Sequence, residues 1–312
     1  MEKTLIIFES KYGTTEKIAK YLSMVLGPAK FCRSDELSDG EDFDFIVIGS
    51  PVYSGKPLPK ICEFIENNLN WLKQKPIALF CTSLSPKDGN DNLESLSKML
   101  GNVIIKKSLG GVLDHSILSE EDKKALKVFS EMLGFEFQDM DNFNLEEVLN
   151  YALDIKFTRE DHIDQAPTSF IKKTVEEFLK THNTCTLSTS YKDRVRSTPI
   201  EYSYDNGFMY FLSEGGEKFS NIPLNNNVSV AVYEDYSGMN NLAGMQITGT
   251  AHIIPEYSDE YENIIKMKGL NYNFIKKLPI NMNIIKIKMD KAEFLYSNFS
   301  KSGYGQKQIY YF

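Results

Sequence analysis

The segment Phe8-Glu9-Ser10-Lys11-Tyr12-Gly13-Thr14-Thr15-Glu16-Lys17-Ile18-Ala19 decides how the first half of this chain folds. An apolar run, residues 5–8, leads into it and is typical of a buried parallel strand, and apolar residues at helical spacing follow it. The segment is therefore predicted to be a turn from a strand into the N-terminus of a helix. Because the first-turn amides of a helix are unpaired and its dipole is positive there, such a turn suits an anion.

The turn itself is rich in hydroxyl groups. Ser10, Thr14 and Thr15 add hydrogen-bond donors without adding charge, and Gly13 permits a left-handed turn or a close approach of the backbone to a ligand. The plain alternative is an ordinary strand-to-helix turn without a ligand. The density of hydroxyls within six residues favours a phosphate-binding loop. Its candidate contacts are Ser10, Lys11, Tyr12, Gly13, Thr14 and Thr15.

The first half of the chain alternates strands and helices. Strands are predicted at 4–8, 29–32, 44–49, 76–82 and 103–108, and helices at 14–26, 58–69, 92–100, 120–132 and 144–157. This alternation predicts right-handed crossovers and an α/β fold with a doubly wound parallel sheet. Ligands bind such sheets at the carboxyl ends of the strands.

Two more loops follow predicted strands. In Gly49-Ser-Pro-Val-Tyr-Ser-Gly-Lys-Pro57, Tyr53 offers a flat face to an aromatic ring, and the plain alternative is a Pro/Gly turn with an exposed tyrosine. The third loop runs through 81–90, where small polar residues could reach the edge of a ring. Candidate contacts in these two loops are Ser50, Pro51, Val52, Tyr53, Ser54, Gly55, Thr82, Ser83 and Leu84.

The Ser-x-Tyr-Gly-x-Thr pattern of residues 10–15 resembles the phosphate loop of flavodoxins, and the three loops together look like those of a flavodoxin domain over about residues 1–135. The loop 49–57 is most similar to the short-chain group that includes the quinone-linked protoporphyrinogen oxidases. The resemblance implies that the first loop holds the phosphate of FMN and that the other two contact its isoalloxazine ring.

The whole-chain composition excludes several classes of function. The length of 312 residues favours two domains, and a net charge of −8 argues against nucleic-acid binding, which needs a basic stripe. The four cysteines are scattered, without a CxxC motif or a cysteine–histidine cluster, so we expect no metal site and reduced thiols in a cytoplasmic protein. The start of the chain leads directly into the first strand and no apolar run is long enough to span a membrane, so we expect neither a signal peptide nor a membrane span.

The pattern changes after a polar stretch at 158–165, which we interpret as a linker between a domain at 1–157 and a domain at 166–312. A helix is predicted at 168–180, followed by short strands with hairpin signals such as Asp205-Asn206-Gly207. The predicted strands are 184–190, 194–204, 208–213, 228–234, 244–254 and 283–296. Such a run of antiparallel strands indicates a barrel.

Two segments of the second half carry candidate chemistry. Alternation along a strand places Arg194, Arg196 and Thr198 on one face, where arginine suits bidentate contacts with phosphate. Lys218 follows a Gly-Gly turn and is placed to add a cation to the same phosphate. The plain alternative for each segment is a solvated hairpin with surface charges.

The order of motifs in this half resembles the FMN-binding split barrel of the pyridoxamine 5′-phosphate oxidase superfamily. The matching segments are Thr-Cys-Thr-Leu-Ser-Thr (184–189), Arg-Ser-Thr-Pro-Ile (196–200), Met-Tyr-Phe-Leu-Ser (209–213), Lys218, Asn-Asn-Asn-Val-Ser-Val-Ala-Val (225–232) and Met-Gln-Ile-Thr-Gly-Thr-Ala (245–251). The resemblance implies an antiparallel split β-barrel that dimerises. It also implies that Arg196, Ser197, Thr198 and Lys218 lie near the phosphate and ribityl chain of FMN, that Leu212 and Ser213 border the ring, and that Gln246 lies in the strand that completes the pocket.

This half departs from the true oxidase at two places. Glu217 stands where the oxidase usually has a second basic residue, and the C-terminal tail lacks the tryptophan and arginine with which the oxidase holds its substrate. Oxidation of pyridoxamine phosphate is therefore not expected.

The sequence thus predicts a two-domain FMN-dependent oxidoreductase or electron-transfer protein that forms a homodimer through the split barrel. Its electron donor and acceptor are not identified, and the four histidines are too dispersed to nominate a catalytic residue. Two alternatives stay open: a quinone-linked protoporphyrinogen oxidase-like enzyme, and a non-enzymatic module that binds flavin or haem.

Overall fold

A computed structural model describes residues 3–37, 43–134, 137–162 and 165–312, and divides the chain into two compact units, Met1–Ile163 and Asp164–Phe312. Among the described residues, no helix combines the length and the apolar character needed to cross a membrane.

The first unit is a five-stranded parallel sheet with helices on both faces. Its strands are β1 Thr4–Phe8, β2 Ala29–Arg33, β3 Phe45–Tyr53, β4 Lys56–Pro57, β5 Ile77–Ser83, β6 Val103–Gly110, β7 Val112–Leu113 and β8 Met140–Asp141. Its helices are α1 Thr14–Val25, α2 Pro59–Leu72, α3 Pro86–Leu100, α4 Glu120–Leu133 and α5 Leu145–Glu160. The strand order is β2-β1-β3-β5-β6, while β4 pairs with β3, and β7 pairs with β8. The predicted doubly wound parallel sheet is confirmed.

The two faces of this sheet explain the apolar runs of its central strands. Alternate residues of a strand point to opposite faces, so a strand covered on both sides has to be apolar throughout. In β1, Leu5 and Ile7 pack with the cluster under α2 and α3, whereas Ile6 and Phe8 pack with the cluster under α1 and α5.

The second unit is an antiparallel sheet that curls into a split barrel. Its strands are β9 Thr184–Tyr191, β10 Arg194–Glu201, β11 Ser203–Asp205, β12 Phe208–Ser213, β13 Asn227–Tyr233, β14 Ala243–Ile254, β15 Asn283–Tyr296 and β16 Lys307–Tyr311. Its helices are α6 Thr168–Thr181, α7 Lys218–Asn221, α8 Asp259–Met267, α9 Tyr272–Ile275 and α10 Ser297–Lys301. The strand order is β10-β9-β13-β14-β15-β12-β11, with β16 on β15, so the predicted split barrel is also confirmed.

Two apolar clusters stabilise the second unit. The larger one joins α6, through Val175 and Phe178, to inward side chains of the sheet such as Leu187 and Ile247. The smaller one lies under α8 and α9, where Tyr261 packs with side chains of β12 and β15. Tyr261 also donates its phenolic hydrogen to the carbonyl of Met282 at 2.7 Å.

Three element boundaries differ from the sequence prediction for identifiable physical reasons. The predicted strand 194–204 breaks at Tyr202, because this buried side chain turns inward and donates its hydroxyl to the carbonyl of Leu179 at 3.0 Å. Helix α3 starts at Pro86 rather than at residue 92, with Ser85 as its N-cap. Strand β3 continues to Tyr53, so part of the second predicted loop is a strand that pairs with β4.

The end of the first unit also differs from the sequence prediction, because residues 158–160, assigned there to the linker, belong to α5. Arg159 is buried and donates from Nη1 to Thr4 Oγ1 at 2.6 Å and to the carbonyl of Leu26 at 2.7 Å. These bonds explain why a polar residue continues the helix here. Residues 163 and 164 of the predicted linker lie outside the described residues.

The elements α8, α9, α10 and β16 of the second unit were not predicted at all. Helix α8 starts after Ser258, whose hydroxyl accepts from the amide of Tyr261 at 3.2 Å, and carries Asp259, Glu260 and Glu262 in its first turn. These are recognisable helix-start signals.

Candidate functional site: two phosphate-binding regions

The three predicted loops of the first unit lie side by side. They follow β1, β3 and β5, which are consecutive neighbours in the parallel sheet, with Phe8 opposite Gly49 and Gly49 opposite Phe80. The amide of Glu9 donates to the carbonyl of Gly49 at 3.2 Å, which ties the start of the first loop to the start of the second. The sheet topology therefore gathers residues about 10, 50 and 82 at one edge.

The first loop has the geometry of an anion-binding turn. Gly13 has a φ of 92° and is the N-cap of α1, where it has no side chain with which to cap the helix. Its amide donates to Ser10 Oγ at 3.0 Å, which closes the turn. The amides of the first turn of α1 receive no side-chain cap. They are therefore available to donate hydrogen bonds to an anion such as a phosphate group. The hydroxyl of Thr14 lies in that same first turn.

The third loop is joined to the first by a hydrogen bond between two buried hydroxyls. Thr15 Oγ1 and Thr82 Oγ1 lie 2.9 Å apart. Beyond Thr82, the hydroxyl of Ser83 donates to the carbonyl of Ser85 at 2.7 Å and accepts from its amide at 3.1 Å, so that Leu84 sits in a tight turn. Together these bonds fix the third loop against the first.

The second loop is a hairpin whose tip has left-handed backbone. Ser50 Oγ accepts from the amide of Leu58 at 3.0 Å, and Pro51 and Val52 continue the strand. Ser54 and Gly55 then turn with φ values of 49° and 72°. The carbonyl of Gly55 accepts from the side-chain amide of Asn92 at 3.0 Å, which anchors the tip to α3.

Two tyrosines bring the first and second loops into contact. The rings of Tyr12 and Tyr53 meet edge to face with their centroids 6.3 Å apart. Burial raises the pKa of Tyr53 well above its usual range, and the neighbouring Tyr12 and Asp122 act in the same direction, so the phenol of Tyr53 stays protonated. The two rings form an aromatic, uncharged wall beside the phosphate loop.

Two residues beside this region had no signal in the sequence. Arg33, at the end of β2, donates from Nη1 to the carbonyl of Ser10 at 3.0 Å. Asp122, in the first turn of α4, lies 2.5 Å from the ammonium of Lys11 and accepts from the hydroxyl of Tyr12. Both contacts join residues that are far apart in sequence, so neither periodicity nor a local motif could reveal them.

Some of the predicted site residues of the second unit lie close to one another, around α7. In the β9–β10 hairpin, Arg196 lies opposite Thr189, and its guanidinium Nη1 is 3.9 Å from Glu217 Oε1 in the turn before α7. Arg194 Nη2 donates to the carbonyl of Ser220 at 3.4 Å. Both arginines therefore reach toward α7, where Lys218 is located.

Lys218 is the most unusual charged residue of this region. The residue is 5% exposed, and its ammonium donates to the carbonyl of Gly215. In the part of the chain that the structure describes, this ammonium has no ion-pair partner. Burial lowers the pKa of Lys218, while the nearby charge of Glu214 acts in the opposite direction. A buried cation whose described contacts are uncharged, here the carbonyl of Gly215 and the Phe219 ring 5.1 Å away, is costly unless an anion joins it.

The remaining predicted contacts of the second unit are spread over the sheet. Ser213 Oγ donates to the carbonyl of Gly215 at 3.0 Å and so belongs to the Lys218 turn. Leu212 packs with the cluster under α8 and α9 instead. Ser197 lies on the outer face, with its hydroxyl 3.0 Å from that of Ser188, and Gln246 is exposed. Thr198, opposite Leu187, shares the inner face with Arg196.

One further residue beside Lys218 was missed by the sequence analysis. Asn221 is 1% exposed and donates from Nδ2 to Thr189 Oγ1 at 3.2 Å. This bond fastens α7 to β9 directly beneath Arg196. A short helix after a Gly-Gly turn was expected, but nothing in the sequence indicated which of its polar side chains would be buried.

Comparison with family models identifies both units. Residues 5–138 match the model described as a flavodoxin domain, and residues 171–296 match the model described as pyridoxamine 5′-phosphate oxidase. The predicted fusion of these two domains is confirmed. Flavin binding and redox-type chemistry are the functions that these two families support. The chain has no match among curated proteins.

Several solved structures resemble part of the chain. A FAD-binding protein from Mesorhizobium loti is 16% identical over 38% of this chain and 88% of that protein, with a TM-score of 0.30. HutZ, the heme storage protein from Vibrio cholerae, is 15% identical over 38% and 89%, with a TM-score of 0.33. ChuZ from Campylobacter jejuni is 20% identical over 55% and 71%, with a TM-score of 0.36. At these values the likeness carries no argument about function.

Proposed function

The chain joins a flavodoxin domain to a pyridoxamine 5′-phosphate oxidase-like domain, and from this premise we propose that it is an FMN-dependent oxidoreductase or electron-transfer protein with one FMN site in each unit. The observation that carries the proposal is the uncapped N-terminus of α1, which lies beside three hydroxyl side chains and the Tyr12–Tyr53 wall. Bound FMN supplies one- and two-electron chemistry through its isoalloxazine ring.

The donor set of the first unit fits the phosphate and ring of FMN. Ser10, Thr14 and Thr15 and the amides of the first turn of α1 would hold the phosphate by neutral hydrogen bonds. The backbone of Thr82, Ser83 and Leu84 would supply polar contacts to the ring, and Tyr53 would supply an aromatic wall for it. Because the phenol of Tyr53 stays protonated, this wall adds no charge next to the ring.

The donor set of the second unit suits the phosphate of a second FMN, and it does so with charged rather than neutral groups. Lys218 contributes a buried ammonium, which gains an anionic partner when a phosphate binds. Arg196 adds a guanidinium from the neighbouring hairpin. Ser197, Leu212, Ser213 and Gln246 remain proposed contacts on the strength of the family resemblance alone.

The proposal is tested by reduction of the flavin-loaded chain under anaerobic conditions. A pyridine nucleotide with a flavodoxin-type reductase should bleach the flavin absorbance rapidly, and air should restore it. FMN that binds but is not reduced by this system would contradict the redox proposal and favour a passive binding module.

We further propose that the chain forms a homodimer through the split barrel. The resemblance of this unit to a superfamily that dimerises supports this, and Val195, which is 73% exposed on the β9–β10 hairpin, is an apolar side chain that an interface would cover. Light scattering of the full chain at micromolar concentration should give twice the monomer mass of 35.7 kDa. A monomer that still holds flavin in the second unit would contradict this proposal.

We also propose a cytoplasmic location for the protein. Cys62, Cys81 and Cys185 are free thiols, and Cys81 and Cys185 are buried. Reducing compartments keep cysteines in this form. Fractionation of cells that express the chain with its own N-terminus should recover it with cytoplasmic markers, and recovery in a secreted or membrane fraction would contradict the proposal.

A further inference from the structure

The loop that connects β1 to α1 is held from two sides by charged residues that lie outside it. Its own stabilisation is small, since among the described residues one hydrogen bond, from the Gly13 amide to Ser10 Oγ, closes the turn. A loop with one internal bond has to be ordered by its surroundings if it is to meet a ligand in a fixed shape. The surroundings supply Arg33 on the side of β2 and Asp122 on the side of α4.

Arg33 ties the beginning of the loop to the first turn of α1. Its Nη1 donates to the carbonyl of Ser10 at 3.0 Å, and its Nη2 donates to Glu16 Oε2 at 2.9 Å. One rigid guanidinium therefore fixes the two ends of the loop at a set separation. The guanidinium is itself oriented by Phe8, whose ring centroid lies 5.6 Å away, and by the buried carboxylate of Glu9, 3.7 Å away.

Asp122 holds the middle of the same loop. Its Oδ2 lies 2.5 Å from Lys11 Nζ and accepts from the hydroxyl of Tyr12, while the amide of Ser119 donates to that hydroxyl at 3.1 Å. Burial acts to raise the pKa of Asp122, but hydrogen bonds from Lys11 and Tyr12 outweigh it, and the pKa of this carboxyl lies below its usual value. Asp122 is therefore charged at neutral pH.

We propose that Arg33 and Asp122 are positioning residues that hold the segment 10–13 in its anion-binding shape before a ligand arrives. The contacts on Lys11 and Tyr12 place the Tyr12 ring against Tyr53, and the contacts on Ser10 and Glu16 set the turn at Gly13. By committing the ammonium of Lys11 to Asp122, the same arrangement leaves the phosphate to neutral donors. The consequence for flavin affinity rests on the proposed function, whereas the ordering of the loop does not.

The test compares Arg33→Met and Asp122→Asn with two matched controls in the full chain. Lys60→Met breaks the exposed pair with Asp35, and Glu121→Gln neutralises the exposed neighbour of Asp122 on α4. Backbone amide order parameters of residues 11–14 are measured by NMR in the flavin-free chain. We expect values of about 0.85 in the wild type and both controls, and below about 0.6 in the two variants.

A second readout measures affinity for FMN. A fluorescence titration gives the Kd of each binding step, and the resonances of residues 11–15 and 213–221 assign each step to the first or the second unit. We expect each variant to weaken FMN binding at the first unit about tenfold, because the disordered loop has to become ordered when the flavin binds. Binding at the second unit should stay unchanged. Arg33→Lys should recover only part of the loss, since an ammonium cannot donate to Ser10 and Glu16 in the fork geometry of a guanidinium.

The two readouts separate the inference from the proposed function. Unchanged order parameters in both variants would overturn the positioning role, whatever the affinity for FMN. A wild-type chain that shows no binding step at residues 11–15 would overturn the proposed function of the first unit, while the order parameters would still decide the positioning role. If Arg33→Met or Asp122→Asn fails to fold, the milder variants Arg33→Lys, which keeps the charge, and Tyr12→Phe, which removes only the hydroxyl, decide the positioning role by the same order-parameter measurement.

Discussion

The candidate phosphate loop of the first unit, residues 10–15, and the Lys218 turn of the second are built from opposite chemistry. In the first, hydroxyls and uncapped amides face the site, and the adjacent cations Lys11 and Arg33 are paired with carboxylates. In the second, a buried ammonium without an ion-pair partner among the described residues is the central group. The comparison teaches that one chain can offer an anion either preorganised dipoles or a buried ammonium that lacks an ion-pair partner among the described residues. The two solutions differ in salt response and in their effect on stability.

Removal of the buried charge should have the largest effect. Lys218→Ala deletes a charge-assisted hydrogen bond to the phosphate, which contributes roughly 1.5–3 kcal/mol, so affinity at the second unit should fall about tenfold to a hundredfold. The first unit should bind as before. The measurement is the two-step fluorescence titration, with Lys192→Ala at the exposed tip of the β9–β10 hairpin as the control.

Salt sharpens the same comparison. Added salt should weaken binding at the second unit of the wild type, and weaken it less in Lys218→Ala, because screening acts on the charge that was removed. Binding at the first unit should change little, since its donors are neutral. If Lys218→Ala keeps wild-type affinity and salt response, Lys218 is a structural residue of the turn and the assignment of the second site fails.

The same lysine should destabilise the unit when flavin is absent. Lys218→Met replaces a buried cation by an apolar chain of similar length. We expect the free energy of unfolding of the flavin-free chain to rise by about 1–2 kcal/mol, with Tm rising about 2–4 °C for each kcal/mol. Because the pKa of Lys218 is lowered from its usual value of 10.5, the unfolded chain binds more protons at alkaline pH, and wild-type stability rises as pH approaches that value. The gain from Lys218→Met should therefore shrink at high pH. A variant that melts lower than the wild type at neutral pH would contradict the strain assigned to Lys218.

Removal of a neutral donor from the first unit should have a smaller effect on FMN affinity than removal of the Lys218 charge. Thr15→Val keeps the shape of the side chain and removes the hydroxyl that lies 2.9 Å from Thr82 Oγ1. The loss of one hydrogen bond should weaken the first binding step by about 1 kcal/mol, or about fivefold, with no change in its salt response. Ser23→Ala, farther along α1, is the control. Equal affinity of Thr15→Val and the wild type at residues 11–15 would remove Thr15 from the site.

The smallest effect on FMN affinity is expected from Glu217, which stands where the oxidase family usually has a basic residue. Glu217 lies 3.9 Å from Arg196, so it competes with a phosphate for this guanidinium. Glu217→Gln should tighten the second binding step about twofold to fivefold, in the range of an exposed ion pair. Unchanged affinity would show that Arg196 does not contact the phosphate.

The sequence predicted the fold well where local patterns determine it. Strand β1 occupies Thr4–Phe8 as predicted, and α1 begins at Thr14 as predicted, because an apolar run and a helical repeat meet at a glycine there. The helices α8 and α9 were missed, although Ser258 and the acidic first turn of α8 were available as signals. Strand β16 had no local signal, since its position depends on pairing with β15.

The candidate sites were predictable only as sets of loop residues. Ser10, Thr15 and Tyr53 could be nominated because hydroxyls, glycine and an aromatic ring cluster after apolar strands. Arg33 and Asp122 could not, because they approach the loop only through the packing of β2 and α4. The burial of Lys218 was equally invisible, since a lysine after two glycines is typical of a solvated turn.

The central claim, that each unit holds one FMN by its own phosphate chemistry, is tested most directly by stoichiometry. The full chain is saturated with FMN, separated from free flavin and denatured, and released flavin and protein are quantified. We expect two FMN per chain in the wild type, and in Lys218→Ala the selective loss of the one held by the second unit. A ratio of one or less in the saturated wild type, with perturbed resonances in only one of the segments 11–15 and 213–221, would contradict the account.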